Sequence, residues 1–147
     1  DPAGAEYYQK NAEAYIAKLN QLNQQIHALI DAIPPAQRKV VVSHQAFGYF
    51  ARAYGVEFHA VQGLSTESQA SAKHVAELIK EIKSENIKAL FMENLSDPKM
   101  IQQISAETGA HVGKPLFADT LSDASGPAPS YVQMMQYNAE QIAQGLR

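Results

Sequence analysis

The chain has 147 residues, enough for one compact domain with a real core. A net charge of −3 offers no basic stripe to displace phosphate counterions, which argues against nucleic acid as a partner. Cysteine is absent, excluding disulfides, thiolate metal sites and cysteine nucleophiles, and no apolar run is long enough to span a membrane.

At the amino end nothing reads as a signal peptide. Asp1 and Pro2 predict a helix start, a capping acid followed by proline at the first helical position. An apolar stripe then runs through Tyr8, Ala12, Tyr15, Leu19, Leu22, Ile26, Leu29 and Ile33 at steps of three and four, until Pro34 and Pro35 end it. A helix of about 30 residues is about 45 Å long. That exceeds what a domain of this size needs, and the stripe is too poor in Leu and Ile for a strong coiled coil. It predicts a spine helix that spans two lobes.

The segment VVVSHQAFGYF, residues 40–50, follows. Its β-branched run predicts a buried strand that stops at Ser43 and His44. Ala46 to Tyr54 predicts a helix, carrying Phe47, Phe50 and Tyr54 on one face. Val56 to Val61 predicts a second strand and Gln62 to Ser71 a polar loop. Ala72 to Asn86 predicts an amphipathic helix with Val75, Leu78, Ile79 and Ile82 inward. On its other face Lys73, Lys80, Lys83 and Lys88 alternate with Glu77, Glu81 and Glu85, the pattern of a solvated surface. Ile87 to Met92 predicts a third strand ending at Glu93. Asp97 and Pro98 open a helix that closes near Gly109. Val112 to Phe117 predicts a short edge strand despite Pro115, ending at Asp119, and Tyr131 to Leu146 a last helix after a Ser/Gly/Pro loop. Strands alternating with helices define an α/β fold: a four-stranded, mainly parallel sheet flanked by helices and preceded by one long helix.

In a parallel sheet the three strand ends bearing His44, Glu93 and Asp119 share one edge, the edge where open α/β sheets bind ligands. One imidazole and two carboxylates suit a divalent metal such as zinc or manganese. Ser43, His44 and Asp119 also permit a hydrolase reading, though adjacent Ser and His project differently and no GxSxG occurs. A glycine-rich phosphate loop is missing too. Of the other histidines, His59 reads as a packing or edge residue, His27 and His74 as surface groups on helices, and His111 as a loop residue. Tyr131 and Tyr137 read as core or interface, and Met134 and Met135 as core filler.

The segments SHQAFGYFARAYGV, GLSTESQASAKHVAELIKEIK, LFMEN, FADTLSD and SYVQMMQYNAEQIAQGL resemble the carboxyl-terminal lobe of metal solute-binding proteins of bacterial ABC importers. DPAGAEYYQKNAEAYIAKLNQLNQQI resembles the long backbone helix joining the two lobes of that family. The resemblance implies a division into an interlobe helix, residues 1–33, and a carboxyl-terminal α/β lobe, residues 34–147, with the amino-terminal lobe absent. It further implies a non-catalytic role in metal capture outside the cytoplasm, periplasmic or on a lipid-anchored parent, with delivery to a membrane permease. By motif, His44 and Asp119 fall on two of the four metal ligands, and Glu93 and Ser43 become orienting or cleft-lining groups. Histidine at the first position resembles the zinc-preferring branch, zinc over manganese. The other two ligands, histidines in that family, lie in the missing lobe, so the chain carries half a site that water or a neighbouring molecule must complete. Two other readings remain: a metal-assisted hydrolase built on His44 and Asp119, and a self-associating interaction domain. A homodimer would form through the exposed long helix or through a bridging metal.

Overall fold

The computed structural model describes residues 1–63 and 71–147. Among these, the long amphipathic stripe becomes helix α1, Ala5–Asp31, entered through a 3-10 turn at Pro2–Gly4. Pro2 sits at the start of that turn as expected, but Asp1 does not cap it. Its carboxylate instead accepts a hydrogen bond from the Tyr8 hydroxyl, 3.0 Å away. At the other end Pro34 and Pro35 stop the helix, and Arg38 Nε donates to the Ile33 carbonyl at 2.8 Å.

The remaining elements are β1 (Lys39–His44), α2 (Gly48–Tyr54), β2 (Glu57–Gln62), α3 (Ala72–Glu85), β3 (Ala89–Phe91), α4 (Lys99–Thr108), β4 (His111–Val112) and α5 (Tyr131–Gly145). Most of the predicted loop Gln62 to Ser71 lies outside the described residues. The strands form one sheet in the order β2-β1-β3-β4, and every pairing is parallel. Two boundaries differ from the sequence reading for physical reasons. The helix predicted from Ala46 begins at Gly48, because Ala46 N–H turns back to the His44 carbonyl at 2.9 Å. The predicted strand Val112 to Phe117 reduces to a two-residue strand and one further bridge, Glu93 to Leu116. Gly113 N–H and Leu116 N–H still reach carbonyls of the third strand's segment, at 2.8 Å each, but Pro115 has no N–H to give.

Strand alternation separates two cores. Val40, Val42, Ala89 and Phe91 face α1, α2 and α5, packing against Ile26, Ile30, Phe50, Ala139 and Ile142. Val41, Val61 and Leu90 face α3 and α4, packing against Val75, Leu78, Ile82, Ile101 and Ile104. Each fully buried aliphatic side chain contributes about 1.5–3 kcal/mol. The central strand β1 is therefore covered on both faces, which is why its apolar run is unbroken. Of α1, Leu22, Ile26 and Ile30 alone are buried among its residues, all in its carboxyl-terminal half. Tyr131 is exposed at the start of α5 rather than packed, whereas Tyr137 meets Phe117 edge-on at 5.5 Å between ring centres.

Candidate metal centre

Because the sheet is parallel, β1 and β3 deliver His44 and Glu93 to the same edge, and the chain leaving β4 brings Asp119 beside them. His44 and Glu93 are buried, at 6% and 3% exposure, whereas the Asp119 side chain is 70% exposed. The imidazole stands between two carboxylates: Nδ1 lies 3.3 Å from Glu93 Oε2 and Nε2 lies 3.5 Å from Asp119 Oδ2. Glu93 is fixed in turn. Its Oε2 accepts a hydrogen bond from the Ser96 hydroxyl at 2.9 Å, and its Oε1 accepts the His44 backbone N–H at 3.4 Å. His44 Nδ1 is buried and, despite its closeness to Glu93, lacks the alignment of a hydrogen bond.

This arrangement has a clear chemical polarity. The buried carboxylate sits behind the ring, on its Nδ1 side. The exposed carboxylate sits in front, next to Nε2. With bonds of roughly 2.0–2.2 Å, neighbouring donors on a tetrahedral ion stand roughly 3.3–3.6 Å apart. The 3.5 Å between His44 Nε2 and Asp119 Oδ2 falls in that range. Ser43 projects to the opposite face of β1 from His44, its hydroxyl buried without a hydrogen-bond partner among the described residues. Both residues line a cleft of about 660 Å³ together with Gln62, Asn94, Lys99 and Met100.

Three residues absent from the sequence reading hold the site. Asn138 on α5, only 2% exposed, clamps the backbone two residues before Asp119: its Oδ1 accepts Phe117 N–H at 3.0 Å and its Nδ2 donates to the Phe117 carbonyl at 2.7 Å. Asn94 Nδ2 donates to Thr120 Oγ1 at 2.7 Å on the other side of Asp119. Ser96 is the third, through Glu93. The one signal for Asn138 was a polar residue inside the buried stripe of a helix, where asparagine has poor propensity. His27, His74 and His111 stand away from this edge. His27 pairs with Asp31 at 3.3 Å, and a His74 ring nitrogen is 3.1 Å from the Ala60 carbonyl.

A parallel α/β lobe with a histidine and a carboxylate on its ligand-binding edge and a long helix in front defines a class: the metal solute-binding proteins of ABC importers. The chain belongs to the family described as "Zinc-uptake complex component A periplasmic", whose profile matches residues 1–145. It is 32% identical over 146 residues to the iron ABC transporter substrate-binding lipoprotein MtsA of Streptococcus pyogenes serotype M1, covering 99% of this chain and 47% of that protein. It is 29% identical over 146 residues to the manganese ABC transporter substrate-binding lipoprotein PsaA of Streptococcus anginosus, again covering 99% of this chain and 47% of the relative. Among solved structures, the periplasmic zinc binding protein TroA from Treponema pallidum superposes with a TM-score of 0.92 at 31% identity, covering 99% of this chain and 54% of TroA. The chain thus spans about half the length of the curated relatives it matches. These relatives are substrate-binding proteins rather than enzymes, which sets aside the hydrolase reading. They are named for iron, manganese and zinc, so the family does not by itself select zinc. No helix among the described residues is long and apolar enough to cross a membrane.

Proposed function

We infer that this chain is the carboxyl-terminal lobe of a metal receptor for ABC-type import, residues 34–147, with residues 1–33 as its interlobe helix. His44 and Asp119 supply two ligands to a divalent transition metal, Glu93 orients the His44 ring, and Ser43 lines the cleft. The reading rests on one observation: an exposed carboxylate 3.5 Å from a histidine nitrogen whose ring is backed by a buried carboxylate. In the intact receptor a second lobe would supply the remaining ligands and a membrane permease would receive the metal, outside the cytoplasm. Imidazole beside carboxylate favours zinc over manganese, because manganese prefers an all-oxygen shell.

Zinc and manganese titrations of the chain, run beside His44→Ala and Asp119→Ala with mass followed by light scattering, test this. The component of zinc binding that both substitutions remove is expected to be weaker than micromolar and at least about tenfold tighter than for manganese. A mass that doubles with zinc means the empty positions are filled by a second copy; a constant mass means water fills them. Zinc binding that both substitutions leave unchanged overturns the ligand assignment, and manganese binding as tightly as zinc overturns the preference.

A further inference from the structure

On the α3 side of the sheet, away from the edge that carries His44, a second group of donor atoms is assembled. We propose that His59, Glu81 and Glu85 form an auxiliary site for a small divalent cation such as zinc, independent of the His44–Asp119 pair. Their ligand atoms all lie within 4.8 Å of one another. His59 sits on the edge strand β2, and Glu81 and Glu85 are one turn apart on α3, so both carboxylates lean toward one ring.

The ring is more than a surface histidine. Its side chain is 11% exposed, while Glu81 and Glu85 are 42% and 35% exposed, so the nitrogen is set back and the carboxylates form the mouth. Nδ1 stands 3.3 Å from Glu81 Oε2. Nε2 stands 3.1 Å from Glu57 Oε1 but out of line for a hydrogen bond, leaving it buried and, among the described residues, without a partner. Glu57, Glu81 and Glu85 bring three carboxylates to this spot. Among the described residues the cation that meets them is Lys39, whose Nζ bridges Glu85 and Glu57. Two like charges one helical turn apart, with a third across the strand, are mutually repulsive and are relieved by a further cation. Zinc accepts one nitrogen and two carboxylate oxygens, with water completing the shell. The 3.3 Å separation already matches neighbouring donors on such an ion, and Glu85 needs a rotamer change that releases Lys39. Lys39 is therefore the competitor that sets the affinity.

The test is a zinc titration of the whole chain, read on each histidine ring by long-range proton–nitrogen correlation spectra. His59 is expected to respond with its own midpoint, and to do so unchanged in Asp119→Ala, where the first site is disabled. Glu81→Gln is expected to weaken the His59 response at least about tenfold, and Lys39→Met to tighten it. His27 is the internal standard, being an ordinary exposed histidine beside Asp31. A His59 response no tighter than that of His27, or one indifferent to Glu81→Gln, overturns the proposal. Neither outcome bears on His44 and Asp119.

Discussion

Asn138 shows how much of the proposed metal site would depend on residues outside its ligand set. Its amide makes two hydrogen bonds to one peptide, satisfying both the N–H and the carbonyl of Phe117 where no strand partner reaches them. Asp119 is exposed and otherwise free to sample rotamers, so its position relative to His44 depends on this clamp and on the Asn94–Thr120 bond. Replacing Asn138 with leucine keeps the branched shape of the side chain but leaves two partly buried backbone groups unpaired. The expected cost is about 2–6 kcal/mol of stability, at about 1–3 kcal/mol per unsatisfied group, read from the urea midpoint. Asn138→Asp keeps the acceptor and loses the donor, so it should retain part of that stability yet still displace the Asp119 backbone. Zinc affinity falling in Asn138→Asp while His44 remains in place, by its ring resonances, is the expected signature. Affinity equal to that of the unsubstituted chain would show that Asp119 finds its position without the clamp.

The elements were legible where one physical signal dominated. The valine run of β1 predicted a strand covered on both faces, and the three-and-four stripe predicted α1, because burial alone dictates such patterns. Reading β4 as six residues failed because Pro115 subtracts a donor in mid-strand, and periodicity does not count donors. Asn138 was illegible because its role comes from a peptide 21 residues away. The junction of α1 and α2 was equally hidden: the Tyr54 hydroxyl donates to Asn23 Oδ1 at 3.0 Å, tying the long helix to α2. Burial raises the Tyr54 hydroxyl above its ordinary value of 10.0, with the neighbouring Tyr131 adding to the shift, and burial raises Tyr137 likewise. In the folded state the neutral phenol is favoured, so the unfolded chain loses these protons first. Stability is therefore undiminished below about pH 10 and declines as pH rises through the folded values. Tyr54→Phe should cost about 0.5–1.5 kcal/mol at neutral pH through the lost hydrogen bond. It should also flatten the alkaline decline in denaturant midpoints above about pH 10. An alkaline decline as steep in Tyr54→Phe as in the unsubstituted chain would assign it to other groups, Tyr137 and Lys39 among them.

At the scale of the whole molecule, the burial gradient across the proposed site carries the argument. Glu93 and His44 are inside and Asp119 is outside, and all three line one cleft. Within this chain alone Asp119 stays open to water, and exclusion of water is what strengthens metal–ligand electrostatics. The gradient suits a surface that a second body closes, in keeping with relatives about twice as long. The consequence is measurable as heat stability. A ligand that binds only the folded state stabilises it by RT ln(1 + [L]/Kd). With zinc at about 1 mM and a Kd of about 100 μM, that is about 1.4 kcal/mol; with a Kd of about 0.1 μM it is about 5.4 kcal/mol. For a chain of this size each kcal/mol moves Tm by about 2–4 °C. The difference in zinc-induced Tm shift between the chain and Asp119→Ala, which isolates this site from any other, should therefore be about 3–6 °C for an open half-site. A difference well above 10 °C would mean that the lobe completes its own shell, by its own residues or by pairing with another copy. Because the second cause grows with protein concentration and the first does not, repeating the scan at tenfold dilution separates them.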